Sequence, residues 1–263
     1  MDLGLKGTKA FVAGGSKGLG LETAIKLSEE GAQVAINARN ADRLNDAALK
    51  IEKVTSQKPL IYPGDLTEPK IVNRIITEAA DVMGGLDLLV TNTGGPPPGK
   101  FEEFDDEDWQ SALDLVFFAH LRLIRAALPF LKNSQRASVL TITSISVKQP
   151  VPNLILSNAG RGATIGLTKS LALELGEQNI RFNSILPTYM ETERVIGLLT
   201  HRAKTNETTL DAEIEKQSAD SPLGRMGTPA EFANAAVFLL SPAASYLTGN
   251  MLSVDGGMYK GIF

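Results

Sequence analysis

Residues 13–20 read AGGSKGLG, and no other stretch restricts the possible fold as tightly. Residues 9–13 (KAFVA) before it read as a short buried strand. Leu19 to Glu30 after it reads as a helix, with Leu21, Ala24, Ile25 and Ser28 on one face and Gly31 closing it. Gly14, Gly18 and Gly20 therefore sit in a strand-to-helix turn. Glycine permits such a turn and lets the backbone approach a pyrophosphate. The helix start adds free N–H groups and partial positive charge. Gly14, Ser16, Lys17, Gly18, Leu19 and Gly20 are thus the expected phosphate cradle of a dinucleotide.

The alternation continues along the chain. Strands are expected at 32–38, 59–63, 86–91, 138–143, 180–186 and 251–254, and helices at 41–54, 68–83, 109–132, 156–176 and 229–240. Strands alternating with helices imply an α/β fold, a Rossmann-type doubly wound parallel sheet covered on both faces. No linker divides the 263 residues, so one domain over 1–263 is expected. The polar segment 189–222 breaks the rhythm and reads as a helical lid.

Composition narrows the function. Net charge is −4, which speaks against a nucleic-acid partner. Cysteine is absent, and His120 and His201 lack metal-ligand spacing, so no metal site is expected. No apolar run is long enough for a membrane span, and Met1 to Lys9 has no signal-peptide core. The expectation is a cytoplasmic protein acting on a small molecule. The second strand ends Asn37, Ala38, Arg39, Asn40, without the acidic side chain that holds a ribose 2′-OH. Arg39, with Asn40 beside it and Lys17 in the loop, suits a 2′-phosphate instead. NADP(H) is favoured over NAD(H).

Further motifs then accumulate: GDL at 64–66, TNTG at 91–94, TSIS at 143–146, GLTKSLALEL at 166–175, IRFNSILP at 180–187 and YLTGNMLSVDGG at 246–257. Together with GGSKGLG at 14–20 they resemble the short-chain dehydrogenase/reductase family over nearly the whole length. The resemblance implies seven parallel strands, Asp65 and Leu66 near the adenine, and Asn92 and Gly94 along the cofactor. It places Pro187 and Thr192 at the nicotinamide end and implies a homotetramer or homodimer.

The family's chemistry rests on an Asn, a Ser and a YxxxK pair. Counting back from GLTKSLALEL puts Ser157 at the Tyr position and Arg161 at the Lys position, in SNAGR. Counting between Trp109 and Pro129 puts Val116 at the Asn position. The serine remains, as Ser144. A serine hydroxyl is a far weaker acid than a phenol, and an arginine does not relay protons. Arg161 can still hold ribose hydroxyls or stabilise an oxyanion. Ser144, Lys148, Ser157, Asn158 and Arg161 form the expected catalytic set, with His120 a further possible acid and Tyr189 a phenol at the lid base. Three functions are consistent with this: an NADP(H)-dependent oxidoreductase acting on a carbonyl or conjugated enone, an inactive NADPH-binding sensor, and a non-redox dehydratase or isomerase.

Overall fold

A computed structural model describes residues 2–262. Seven strands form one parallel sheet: β1 (Lys9–Val12), β2 (Gln33–Ala38), β3 (Leu60–Pro63), β4 (Leu88–Thr91), β5 (Ser138–Ile142), β6 (Arg181–Pro187) and β7 (Met251–Val254). Their spatial order is β3-β2-β1-β4-β5-β6-β7. In β1 the register pairs Val12 with Ile36 on one side and with Val90 on the other. The order reverses between β1 and β4, which opens a crevice beyond the carboxyl ends of those strands.

Successive residues of each strand face opposite layers. Val12, Ile36 and Val90 pack with Leu21 and Ile25 of α1 (Gly18–Glu29), Leu44 of α2 (Ala41–Thr55), and Phe232 near the start of the helix at Pro229–Leu240. Phe11, Leu89 and Phe182 face the other layer. There they meet Ile75 of α3 (Pro69–Met83), Leu123 on a helix at Ala119–Leu131, and Ala172 on a helix at Ile155–Leu175.

The long helix expected over 109–132 is interrupted. It consists of α4 (Asp106–Leu113), a π-helical segment at Asp114–Phe118 and α5 (Ala119–Leu131). Asp105 caps its start, accepting from the N–H groups of Glu107 at 2.9 Å and Asp108 at 3.0 Å. The π segment lies against α6 (Ile155–Leu175). There the Thr164 hydroxyl donates to the Val116 carbonyl at 2.5 Å. A Cβ on Gly160 would collide with Val116 Cγ2. The bulge thus lets a branched side chain sit directly over a bare helix position.

Residues 189–222 hold α7 (Glu193–Thr205) and α8 (Leu210–Ser218), with α9 (Pro229–Leu240) beyond. Arg181 ties α9 to the sheet. Its Nη1 donates to the Leu239 and Leu247 carbonyls, and its Nη2 to those of Leu240 and Ser241. No helix of the described residues is long and apolar enough to cross a membrane.

Candidate active site

The turn after β1 is shaped by close backbone approach. Gly14 has φ +64°, and a Cβ there would stand 2.6 Å from Asn92 Nδ2. A Cβ on Gly20 would strike the Gly14 carbonyl. Lys17 precedes α1 in extended conformation and makes no side-chain cap, so the first N–H groups of that helix stay open to a ligand. Ser16 and Leu19 complete the turn.

At the end of β2, Arg39 lies 3.8 Å from Asp65 and its side chain is 76% exposed, so it is free to turn towards another anion. Asp65 also accepts from the Thr67 N–H at 2.9 Å and the Thr67 hydroxyl at 2.8 Å, which fixes the loop before the buried Leu66. The Asn40 side chain accepts the Arg43 N–H at 2.8 Å and caps α2, which leaves both Nδ2 hydrogens to donate.

Thr192 follows β6 and joins the lid segment to the glycine loop. A Cβ on Gly18 would sit 3.5 Å from the Thr192 methyl, and Lys17 lies 4.0 Å from Glu193. Pro187 ends β6 beside Val254 of β7.

Ser144, Ser157 and Arg161 lie on the segment that follows β5. Ser144 follows β5, and its Oγ accepts the Ser146 N–H at 3.2 Å, which leaves its own proton to donate. Ser157 and Arg161 are one turn apart on α6 and both are buried. Arg161 Nε donates to Ser157 Oγ at 3.0 Å, and Nη2 donates to the Gly94 carbonyl at 3.3 Å. Burial and the nearby Arg194 charge lower the Arg161 pKa to about 10, so it stays cationic at neutral pH. Lys148 closes the short turn after Ser144, with Nζ 5.3 Å from the centre of the Tyr259 ring.

Asn158 Oδ1 accepts the Val151 N–H at 3.3 Å, and its Nδ2 donates to the Val151 carbonyl at 3.0 Å. The amide thus holds the 149–154 loop to α6, with one Nδ2 hydrogen left to donate. His120 does not serve as an acid. It is fully buried, and burial followed by the Arg161 charge lowers its pKa to about 3.

A row of threonine hydroxyls backs His120. Thr168 Oγ1 reaches the Thr164 carbonyl at 2.9 Å and Thr141 Oγ1 at 3.3 Å, and Thr91 Oγ1 reaches Thr141 Oγ1 at 3.2 Å. His120 Nδ1 lies 2.9 Å from the Thr91 hydroxyl and Nε2 lies 3.3 Å from that of Thr93, which also reaches the Gly94 carbonyl at 3.2 Å. The imidazole is a neutral structural link. Tyr189 packs with Arg202, whose Nη2 is 3.5 Å from the Tyr189 hydroxyl and whose guanidinium is 5.9 Å from the ring centre.

Thr93, within the TNTG motif, holds His120, and Gly160 admits Val116; Arg194, which the sequence did not single out, lies over Gly95. Only the doubled glycine at 94–95 signalled a close approach, and it did not say of what.

A tight glycine turn before an uncapped helix, at the switch point of a doubly wound sheet, defines the general class of nucleotide-crevice α/β proteins. Comparisons place the chain more narrowly. The family model described as Enoyl-(Acyl carrier protein) reductase matches residues 13–259. The 7alpha-hydroxysteroid dehydrogenase of Escherichia coli (strain K12) is 32% identical over 97% of this chain and 96% of its own. L-Sorbose reductase from Gluconobacter frateurii, solved with NADPH and L-sorbose, superposes with a TM-score of 0.96 at 31% identity, covering 100% of both chains. An NADPH-bound short chain oxidoreductase from Pseudomonas aeruginosa PAO1, described as containing an atypical catalytic center, gives a TM-score of 0.88 at 30% identity over 97% of each chain. The chain belongs to the short-chain dehydrogenase/reductase family.

Proposed function

We propose that this protein is an NADP(H)-dependent oxidoreductase that reduces a carbonyl or a conjugated enone with a non-standard catalytic set. It would do so as one domain over 1–263, with 189–222 as a helical lid. The observation that supports this reading is that Ser144 follows β5, with Ser157 and the buried Arg161 on the next helix, α6, and that Arg161 donates both to Ser157 and to the Gly94 carbonyl after β4, the strand that pairs with β1 before the glycine turn. NADP(H) is supported by the NADPH-bound relatives, by the lack of an acidic side chain at the end of β2, and by Arg39 and Lys17 beside the turn. The turn fits a diphosphate, because side chains at Gly14 or Gly20 would fill the space and the start of α1 is uncapped. Asp65 and Leu66 would border the adenine, with Asn92, Gly94, Arg161, Pro187 and Thr192 along the rest. When bound, NADPH would supply the hydride.

The chain's own groups then act on the substrate oxygen. Ser144 donates a hydrogen bond to it, and Ser157 has a proton left to donate because its oxygen accepts from Arg161. Arg161 stabilises negative charge there in a site of low dielectric. Val116, Ser157 and Arg161 stand where the family has Asn, Tyr and Lys, so charge stabilisation replaces prompt protonation. That favours conjugate reduction, with Lys148 the group able to return a proton. The relative described as having an atypical center supports such a departure.

The lack of a phenolic acid also favours a second reading, an inactive NADPH sensor. A non-redox dehydratase or isomerase has no observation of its own in its favour. Absorbance at 340 nm with ketones, 3-oxoacyl thioesters and enones separates the two that remain. Oxidation of NADPH with an enone or ketone is expected; tight NADPH binding without turnover on any of them moves the protein to the sensor reading. In the active enzyme, Ser144→Ala should cut kcat/KM at least about tenfold. A homotetramer or homodimer is expected by light scattering.

A further inference from the structure

Arg161 is a buried cation without a counter-ion. Two of its N–H groups have acceptors, one a serine oxygen and one a carbonyl. No ion pair among the described residues involves it. Leaving such a charge unpaired is costly, and it persists where a ligand supplies the partner.

A second guanidinium lies beside it. Arg194, near the start of α7, covers Gly95 so closely that a Cβ there would be 2.9 Å from Nη1 and nearer still to Nη2. Arg161 holds the adjacent Gly94 carbonyl, so the two arginines grip neighbouring residues of one loop from two elements. Arg194 also has no ion-pair or hydrogen-bond partner among the described residues, whereas the adjacent Glu193 faces Lys17. Like charges held together without an intervening anion repel, and here that repulsion helps depress the Arg161 pKa. Lys148 adds a third cation on the turn packed against α6.

We infer that the Arg161–Arg194 pair receives a carboxylate carried by the substrate close to its reacting carbon. The substrate class is therefore a 2-oxo acid or a conjugated unsaturated acid. Guanidinium geometry suits bidentate carboxylate binding, and the Arg161 fork can serve the carboxylate and the adjacent reacting oxygen together. Arg194 rides on the lid segment, so a bound carboxylate would also hold that segment against the 94–95 loop.

This rests on the reading of the crevice as a substrate pocket, so the test is read at equilibrium and needs no turnover. Calorimetric titration of the NADP+-saturated protein would compare 2-oxobutanoate with 2-oxobutanamide and cinnamate with cinnamamide. At least one acid is expected to bind ten or more times tighter than its amide. In R194Q that advantage should fall below about threefold while NADP+ affinity holds. Amides binding as well as both acids would overturn the inference, as would an undiminished preference in R194Q. A matching loss of NADP+ affinity in R194Q would also overturn it, assigning the pair to the cofactor phosphates. Failure to oxidise NADPH with a preserved acid preference would sink the redox reading alone.

Discussion

His120 shows how far one residue's surroundings decide its chemistry. In the sequence it is a group that titrates near neutrality, one helical turn beyond Val116. In the structure it is sealed, neutral and hydrogen-bonded on both ring nitrogens. Its folded pKa of about 3 lies below the unfolded value, so the unfolded chain binds the extra proton first. Its share of stability is therefore complete above about pH 6.5 and declines towards pH 3. Imidazole NMR signals of His120 should not titrate between pH 5 and 8. The fall in Tm between pH 7 and 5 should also be shallower in His120→Gln than in the wild type. A steeper fall in the variant would refute the assignment. Asn40 and Asn158 each accept a neighbouring backbone N–H as well, at distances that the sequence does not state.

Among elements, the strands were legible because each is a short apolar run bounded by glycine or polar turns, and the structure places all seven within a residue or two of expectation. The π segment was not legible. Asp114–Phe118 has ordinary helical periodicity, and its extra residue per turn is set by contact with α6. That contact can be tested. Gly160→Ala should destabilise the fold by about 1–3 kcal/mol, because the methyl group meets Val116 and cannot be absorbed. Val116→Ala in the same chain should recover much of the loss. Urea denaturation of both variants measures it, and additive effects would mean that the two positions are uncoupled.

For the whole molecule, the distribution of charge matters more than the net −4. Lys17, Arg39, Arg161 and Arg194 all lie at the carboxyl edge of the sheet, on loops and helix starts that follow different strands. Lys17 and Arg39 each have a carboxylate within 4.0 Å, whereas Arg161 and Arg194 have none among the described residues, so unbalanced positive charge at this edge sits on those two. NADPH affinity should weaken at least about tenfold between 0.05 and 0.5 M NaCl, and NADH affinity less, since it lacks one phosphate. Arg39→Ala should cost NADPH at least about tenfold and leave NADH unchanged; equal losses would show that Arg39 does not read the 2′-phosphate. The fold and the cofactor could be read in advance, because the glycine turn and the strand–helix alternation are distinctive by type. The pairing of Arg161 with Arg194 could not, because a long helix, a strand and a loop separate them in sequence. One consequence of the threonine row behind the crevice concerns time. Thr91, Thr141 and Thr168 are at most 2% exposed, on β4, β5 and α6. Their hydroxyl protons can meet solvent only when those elements part. Their replacement by deuterium would therefore run at the pace of the sheet's rarest openings, so the protein carries its own slow clock.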